Sequence, residues 1–424
     1  MGNLDYTQVL NKIENTRRFG NEPGVVVTAQ VIKVLREKGK QKRIIPYIHV
    51  AGTNGKGSVC AFFSSILKKA HMRVGTFVSP HLVDFEERIT VDGRMIPKED
   101  VTRLGNYLLD IDFGIGLTMF DYCLAMALLY FEEQQCDYMV IETGLGGRLD
   151  STNAIGTPQC AVITKIGYDH MAILGSDIAD IAAEKAGIIK ENGTVVVEQQ
   201  DKRAMQVIEQ EAKKKHARII TVEQSDIARC SGYALRLCGT FQWENAAAAE
   251  LAARYVLGKR HGGLEYEMQY DKTEPKREET DLNDRIKSAL EEAMWPGRME
   301  IVSKEPFLLV DGAHNSNGVD ALKESLMQMY PGEKFCFFMG VMADKDYDVM
   351  IREILPLAEE FYTVTPDSDR ALQASHLADF IRKEGVCATE LSGVDEIRKH
   401  LKRDTKNVAF GSLYFIGELK QHRI

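Results

Sequence analysis

The sequence lacks the features that mark several classes of protein. Its eight cysteines include no C-x-x-C pair and are spread along the chain, which excludes a disulfide framework and predicts reduced, mostly buried thiols. No apolar run is long enough to span a bilayer, and the N-terminus has no signal-peptide core, so we expect a cytoplasmic protein with no membrane partner. Basic residues are outnumbered, 53 to 62, and the net charge of -9 argues against nucleic-acid binding.

Alternating strand and helix patterns predict two α/β domains. The 424 residues, 44% hydrophobic and 27% charged, are enough for two packed cores. We expect a large, P-loop-type, mainly parallel sheet domain at 1–295, a hinge at 296–299, and a smaller Rossmann-like α/β domain at 300–424. Neither half contains G-x-G-x-x-G, so the fold does not by itself suggest a dinucleotide.

The most informative segment, Ile48–Ser58, runs from an apolar strand through a glycine-rich turn into a helix. Three glycines within six positions let backbone N–H groups point into one concavity, and the following helix directs its positive end there. Lys56 adds a mobile cation, although Gly57 separates it from Ser58, which departs from the usual phosphate-loop pattern. We interpret the segment as a phosphate-binding loop; the alternative is an ordinary strand-to-helix turn with a solvated lysine.

Polar residues also follow other predicted strands, at the edge where open parallel sheets bind ligands. Glu142 closes a strand and precedes a glycine-rich run, so it is placed to ligate magnesium or orient water. The alternative is a strand-end glutamate paired with a surface lysine. His170 and Ser79 follow two further strands, and their alternatives are a structural histidine and a turn cap.

Three other segments leave their roles open. Lys185 lies in a helical pattern, and its spacing alone supports only an exposed lysine. Asp311 follows a strand of the second domain and either accepts hydrogen bonds from ribose hydroxyls or forms the turn before a helix that Asn315 caps. Residues 258–285 are charged and lack apolar periodicity, which predicts a mobile surface loop with no assigned role.

Taken together, these segments resemble the folylpolyglutamate synthases, often combined in bacteria with dihydrofolate synthase, within the wider group of Mur-type ATP-dependent amide ligases. The likeness covers nearly the whole chain and depends on many motifs that occur in one order. These are Arg18-Phe19-Gly20 with Pro23-Gly24, Gly52–Ser58, Ser79-Pro80-His81 with Glu87-Arg88-Ile89, Glu142–Asn153, Asp169-His170, Lys185–Lys190, Phe241-Gln242 with Asn245, Trp295–Arg298, Asp311–Asn315 and Gly411–Tyr414.

The resemblance implies a set of ligands and of residues that bind them. ATP phosphates would bind Asn54, Gly55, Lys56, Gly57 and Ser58, with Asn245, Arg298 and Asp311 also on the nucleotide. Magnesium, as two ions, would lie among Ser79, Glu142 and His170, with Lys185 carbamylated. An ammonium group would repel Mg²⁺, whereas a carbamate presents oxygens to it.

The resemblance also locates the pterin-bearing substrate. It would bind near Thr118, Met119, Phe120 and Asp121, and near Leu149, Asp150 and Ser151. Relatives commonly have Phe-Glu where this chain has Phe120-Asp121, so the carboxylate is shorter and the substrate preference stays open.

The implied reaction joins L-glutamate to a tetrahydrofolate, with dihydropteroate as a further candidate substrate. ATP would convert the substrate carboxylate into an acyl phosphate, which the glutamate amine attacks, with Lys56, Lys185 and His314 as catalytic groups. We expect a monomer whose smaller domain closes to exclude water. The alternatives are a Mur-type peptidoglycan precursor ligase and a nucleotide-driven switch ATPase.

Overall fold

The computed structural model describes residues 3–17, 20–260 and 277–422, and the chain divides into two compact units. Unit 1 comprises Met1–His81, Phe85–Ala234 and Glu244–Ala293; unit 2 comprises Leu82–Asp84, Leu235–Trp243 and Met294–Ile424. Two short pieces of the predicted first domain, 82–84 and 235–243, therefore belong to unit 2. Arg18 and Phe19, which contribute to the resemblance, lie outside the described residues.

The first part of the chain alternates strands and helices. In chain order its elements are α1 Tyr6–Glu14, α2 Gly24–Glu37, β1 Tyr47–Ala51, α3 Lys56–Lys69, β2 Val74–Phe77, β3 Ile89–Val91, β4 Arg94–Met95, α4 Lys98–Leu109, α5 Met119–Glu133, β5 Tyr138–Glu142, β6 Cys160–Ile163, α6 Met171–Leu174, α7 Ile178–Ala186, β7 Thr194–Val197, α8 Lys202–Lys214, β8 Arg218–Thr221, α9 Gln224–Ser231, α10 Phe241–Arg260 and α11 Arg277–Glu292. A 3₁₀ turn spans Ser151–Ala154.

The sheet of unit 1 has the strand order β4-β3-β2-β5-β1-β6-β7-β8, and β3 is antiparallel to β2 and β4 while the other described pairs are parallel. The central strand β1 is buried along its whole length, as expected for an apolar run covered on both faces. Val50 pairs with Glu142 on one side and with Val162 on the other, so these strands end at one edge. The loops that carry the candidate residues therefore leave the sheet side by side.

Unit 2 contains a second, smaller sheet with the order β13-β12-β11-β14-β10-β9, in which β9 is antiparallel. Its elements are β9 Glu300–Lys304, β10 Phe307–Asp311, α12 Ser316–Met329, β11 Phe335–Met339, α13 Tyr347–Ile354, β12 Ala358–Thr363, α14 Ala374–Lys383, β13 Cys387–Glu390, α15 Ile397–His400, β14 Lys406–Phe410 and α16 Leu413–Gln421. The predicted fold class, two α/β units with mainly parallel sheets, is confirmed.

The charged segment 258–285, predicted as a loop, is helical at both of its described ends. Helix α10 continues to Arg260 and α11 begins at Arg277, while residues 261–276 lie outside the described part of the chain. The first half of α11 is polar, and the buried side chains that hold the helix, Ile286, Ala289 and Leu290, come only after residue 285. Because its first half is polar, the sequence pattern did not indicate this helix, whose buried side chains lie in the second half.

No helix in the described part of the chain combines the length and the apolar character that crossing a membrane requires.

Candidate functional site

The glycine-rich turn after β1 is held by the segment that follows β6. The N–H groups of Thr53 and Asn54 both donate to the carbonyl of Lys165, at 2.9 and 3.2 Å, and the Thr164 hydroxyl donates to the Asn54 carbonyl at 2.7 Å. These contacts fix the first half of the turn against the sheet. The N–H groups of Thr53 and Asn54 are thereby occupied, whereas the start of α3 lies beyond these contacts.

Helix α3 begins at Lys56 with Gly55 as its N-cap. Gly55 has the left-handed φ of 90°, and a Cβ there would lie 2.2 Å from Oδ1 of Asn245, so only glycine fits. Gly55 has no side chain to cap the helix, and the N–H groups of a first helical turn have no acceptor within the helix. The geometry places this helix N-terminus beside Asn245, and a helix N-terminus is a type of site that can bind an anion.

Lys56, Glu142 and Ser79 come together at this terminus. The Lys56 ammonium lies 3.8 Å from Oε1 of Glu142 and donates to the Thr53 carbonyl at 3.3 Å. The other carboxylate oxygen of Glu142 accepts the backbone N–H of Ser79 at 3.2 Å. Glu142 is only 4% exposed, so its charge lies in a protein environment where the ion pair is weakly screened.

Lys185 lies in the last turn of α7 and is buried, although its spacing in the sequence suggested exposure. Its ammonium nitrogen donates to the carbonyl of Gly52 at 2.8 Å. Burial and then the charge of Lys56 lower the pKa of Lys185 to about 7, while Asp169 and Asp150 oppose the change. The lysine therefore lies against the phosphate loop and gives up its proton far more easily than a surface lysine.

His170 lies on an exposed segment after β6. It precedes α6 with a left-handed φ of 52°, and its Nε2 lies 3.9 Å from a carboxylate oxygen of the partly buried Asp169. No cluster of three or more His, Cys, Asp and Glu side chains suited to a metal occurs over residues 3–17, 20–260 and 277–422. The residues predicted for magnesium instead combine a hydroxyl, a carboxylate and an imidazole.

The two predicted substrate segments touch each other in unit 1. Asp121 accepts the N–H and the hydroxyl of Thr118 at 2.8 and 2.6 Å, and its other oxygen accepts the hydroxyl of Ser151 at 2.6 Å. The ring of Phe120 packs so closely on Gly144 that a Cβ there would lie 2.7 Å away. The Asp121 carboxylate, shorter than the usual glutamate, is thus occupied by protein donors.

The glycine-rich run after β5 connects the substrate segments to the helix that carries Lys185. Asp150 accepts the N–H of Leu145 at 2.8 Å, and the N–H of Arg148 donates to the carbonyl of Glu184 at 2.7 Å. The side-chain amide of Asn153 donates to the carbonyls of Arg148 and Gly187, at 3.0 and 3.1 Å. The exposed side chain of Leu149 lies at the outer end of this loop. Met119, the remaining substrate candidate, begins α5.

In unit 2, Asp311 has the turn-forming role that was one of its two interpretations. Its carboxylate accepts the N–H groups of Met299 and Ala313, each at 2.8 Å, and Asn315 caps α12. Burial raises the pKa of Asp311, and the neighbouring Arg298 opposes this. His314 Nδ1 lies 2.8 Å from the carbonyl of Gly312, so the proton of that bond is on Nδ1.

Sequence reasoning missed the residues that support these loops. Thr53 exchanges two hydrogen bonds with Gly167 at 3.0 Å, through its hydroxyl. The N-terminus of α2 is also part of the site region, because Gly24 packs on Ser151 and the N–H of Val25 donates to the Leu149 carbonyl at 3.1 Å. The Pro23-Gly24 pair was the signal, since a helix that starts with glycine allows a close backbone approach.

Two family models match the chain. The Mur ligase middle domain matches residues 50–253, and the glutamate ligase domain of Mur ligases matches residues 297–411. The phosphate loop, Glu142 and Lys185 fall in the first match, and Arg298, Asp311 and His314 fall in the second. Fold, site and these matches together define the class of protein, which is an ATP-dependent amide ligase of the Mur type.

Full-length relatives narrow the class. The dihydrofolate synthase/folylpolyglutamate synthase of Bacillus subtilis (strain 168) is 33% identical over 453 residues, covering 98% of each chain. The folylpolyglutamate synthase of Lacticaseibacillus casei is 30% identical, covering 87% of each chain. The chain belongs to the dihydrofolate synthase/folylpolyglutamate synthase family, and it is a ligase that uses ATP to join glutamate to folates. The predicted resemblance and reaction class are confirmed.

Solved structures agree with this assignment. A Mycobacterium tuberculosis folylpolyglutamate synthase complexed with ADP and AMPPCP superposes with a TM-score of 0.82 at 25% identity, covering 99% of this chain and 98% of that one. An E. coli FolC in complex with DHPP and ADP gives a TM-score of 0.80 at 27% identity, covering 99% and 97%. These relatives favour the folate ligase over the peptidoglycan ligase and the switch ATPase.

Proposed function

We propose that the ligation proceeds through an acyl phosphate and that the N-terminus of α3 holds the ATP phosphates during its formation. A carboxylate oxygen is a poor leaving group, so the γ-phosphoryl group is first transferred to it, releasing ADP. The amino group of glutamate then attacks the acyl carbon, the amide bond forms, and inorganic phosphate leaves. The observation that carries the proposal is the meeting of Lys56, Glu142 and Ser79 beside an uncapped helix terminus.

Lys56 binds the transferred phosphoryl group in this proposal. Its ammonium is held by the Thr53 carbonyl and by Glu142, at distances of 3.3 and 3.8 Å, so it is positioned at the helix terminus before nucleotide binds. The N–H groups of Lys56, Gly57 and Ser58 add directed donors. Asn54, Gly55 and Asn245 shape the same pocket.

Ser79, Glu142 and His170 would hold magnesium. The backbone N–H of Ser79 already donates to the Glu142 carboxylate at 3.2 Å, which brings the two residues together. Hydroxyl and carboxylate oxygens are ligands that Mg²⁺ prefers. Bound there, the ion would neutralise charge on the phosphates. His170 would be the third ligand, on the side nearer to solvent, because its side chain is partly exposed.

Lys185 is suited to carbamylation. The reaction requires a neutral amine, which attacks CO₂ and releases a proton, and a pKa of about 7 keeps much of Lys185 neutral under physiological conditions. The carbamate nitrogen keeps one N–H, which would continue to donate to the Gly52 carbonyl. The new anionic oxygens would replace a cation that lies close to Lys56.

The folate substrate binds at the segments 118–121 and 149–151 in this proposal, and both tetrahydrofolate and dihydropteroate are accepted. Support for two substrates comes from the double name of the Bacillus subtilis relative and from the E. coli structure with DHPP. Arg298 and Asp311 are assigned to the nucleotide, and His314 to the reacting groups, from the family resemblance. We also propose that the enzyme is monomeric and cytoplasmic, and the eight free cysteines support the second of these, a reducing compartment.

One assay tests the substrate proposal. Purified protein with ATP, Mg²⁺ and L-glutamate is given dihydropteroate or tetrahydrofolate, and the products are resolved by mass. We expect one added glutamate on dihydropteroate and successive additions on tetrahydrofolate. A protein that extends only one of the two would contradict dual use.

A lysine pair tests the phosphate role. Lys56→Ala should lower kcat about 100-fold or more while the circular dichroism melt stays unchanged, since the lost charge acts on the transferred phosphoryl group. Lys68→Ala removes an exposed lysine at the other end of the same helix and should leave turnover unchanged. Retained turnover in Lys56→Ala would reject the assigned role.

The carbamate has a direct spectroscopic test. Protein incubated with carbon-13-labelled bicarbonate should give a carbamate NMR signal that Lys185→Ala lacks and the surface variant Lys214→Ala keeps. Lys185→Ala should also lose ligase activity. A signal that survives in Lys185→Ala would place the modification elsewhere.

A further inference from the structure

His49 is a buried polar residue in the centre of the sheet of unit 1. It lies on β1 between Ile141 of β5 and Ala161 of β6, and none of its surface is exposed. Burial and then the charge of Lys190 lower the pKa of His49 to about 3, so the ring is neutral. The proposed mechanism gives this histidine no role.

One hydrogen bond anchors the ring. Nε2 lies 2.7 Å from the hydroxyl oxygen of Thr152, while Nδ1 has no hydrogen-bond partner within the described residues. The Thr152 hydroxyl lies in turn 2.5 Å from Oδ1 of Asp150. A buried chain of three side chains therefore links the central strand to the end of the glycine-rich loop.

The direction of each bond follows from the groups involved. The Asp150 carboxylate already accepts the N–H groups of Leu145 and Thr152, at 2.8 and 3.0 Å, and it accepts the Thr152 hydroxyl proton as well. That hydroxyl can then only accept from His49, so Nε2 carries the proton of the ring. The strand thus fixes the rotamer of Thr152 by donating to it.

Asp150 in turn holds both ends of the loop. Its side chain accepts from Leu145 near the start, its N–H donates to the Gly147 carbonyl at 3.2 Å, and its carbonyl accepts from Asn153 at 3.0 Å. The next residue, Ser151, donates to Asp121 in the other substrate segment. A shift of Asp150 would therefore move Leu149 and Ser151.

We propose that His49 is a positioning residue for the folate substrate, acting through Thr152 and Asp150 on the loop that carries Leu149 and Ser151. The inference rests on the proposed placement of substrate at 149–151. In this proposal β1 has two functions. Its C-terminal end leads into the phosphate loop through Gly52, whereas His49, within the strand, supports the loop that carries Leu149 and Ser151.

Two amides of different length provide the test. Glutamine reaches as far as Nε2 and can donate to Thr152, whereas asparagine ends near the position of Nδ1. His49→Asn should raise KM for the folate substrate about tenfold and leave KM for ATP within about twofold, whereas His49→Gln should stay within about threefold of wild type for both. Equal effects of the two variants, or an effect on KM for ATP instead, would overturn the proposal.

A second pair keeps the test valid if His49→Asn folds poorly. Thr152→Val removes the hydroxyl at nearly constant shape and should raise the folate KM as His49→Asn does, whereas Thr152→Ser keeps it and should not. In the double variant of His49→Asn and Thr152→Val the two effects on the folate KM should be strongly non-additive, because each substitution removes the same hydrogen bond. Additive effects would contradict the chain of contacts.

Ser151→Ala separates the two possible failures. If it raises the folate KM while His49→Asn and Thr152→Val do not, the substrate placement stands and the positioning role is wrong. If Ser151→Ala has no effect on the folate KM, the placement at 149–151 is wrong, and the inference fails with it.

Discussion

Glu198 is a buried carboxyl group that supports the phosphate loop from behind. It follows β7, is 1% exposed, and accepts the N–H of Lys165 at 2.7 Å through Oε2. Lys165 is the residue whose carbonyl holds Thr53 and Asn54. Burial, and then the negative charge of Glu244 on α10, raise the pKa of Glu198 well above its ordinary value, with Lys165 opposing.

This carboxyl group should make stability fall with pH. In the folded state Glu198 keeps its proton, whereas in the unfolded chain it ionises above about 4.5, so the unfolded state binds fewer protons in that window. The free energy of unfolding of wild type, relative to Glu198→Gln, should therefore decline as pH rises from 4.5 toward the raised pKa. Urea titrations at a series of pH values measure it.

The control is Glu191→Gln, the same chemical change at an exposed position just before β7. The difference in free energy of unfolding between Glu191→Gln and wild type should not change across the series of pH values. A flat difference for Glu198→Gln would show that the buried carboxyl group ionises as readily as an exposed one.

Single residues differ in how far their roles could be predicted. Glu142 ends one strand and Ser79 comes just after another, and parallel strands bring such positions to one edge, so their meeting could be predicted. The position of Lys185 could not be predicted, because its side chain is held by the carbonyl of Gly52, which lies 133 positions earlier in the chain. The sequence could not distinguish the two roles of Asp311, because an aspartate after a strand can form a turn or contact a ligand.

Helix α5 has a capping box that also contacts the proposed substrate segment. Thr118 and Asp121 form a capping box, and Asp121 is buried with a further bond from Ser151. Asp121→Ala removes the reciprocal cap and leaves buried donors unpaired, so we expect a loss of about 2 to 3 kcal/mol in the free energy of unfolding. Urea denaturation measures the change.

Helix α1 offers a matched control, because Asp5 and Gln8 form the same box at an exposed site. Asp5→Ala should cost about 1 kcal/mol or less, since water replaces the lost bonds. An equal loss in both variants would mean that burial and the bond to Ser151 add nothing to the cap of α5.

Helices and strands with a strong apolar pattern could be predicted, and those with a weak one could not. The strand before the phosphate loop and α3 follow from their apolar residues, which are buried as predicted. The hairpin of β3 and β4 was missed because its strands have only three and two residues. The N-terminal half of α11 was missed because its packing lies in the second half.

At the scale of the whole molecule, the proposed nucleotide site of this acidic chain depends on a local arrangement of positive charge. The net charge is -9, yet Lys56 lies at the phosphate loop together with the positive end of α3. The two-unit organisation could be predicted from the change in pattern near residue 295. The pieces 82–84 and 235–243 could not be assigned, since only contacts in space put them in unit 2.

Coupling between hydrolysis and ligation is a property of the whole molecule. If the γ-phosphoryl group passes to the substrate carboxylate, ADP should form only when a folate substrate is present, and sustained turnover should require glutamate as well. A coupled assay for ADP, with each substrate omitted in turn, measures this. Steady ADP formation from ATP alone would favour the switch ATPase.

The most direct test of the central claim follows one oxygen atom. A folate substrate with heavy-oxygen label in its reacting carboxylate is converted with ATP and unlabelled glutamate, and the released inorganic phosphate is analysed by mass. The acyl phosphate route predicts that each phosphate carries one labelled oxygen taken from the carboxylate. Unlabelled phosphate, formed at the same rate as the amide product, would contradict it.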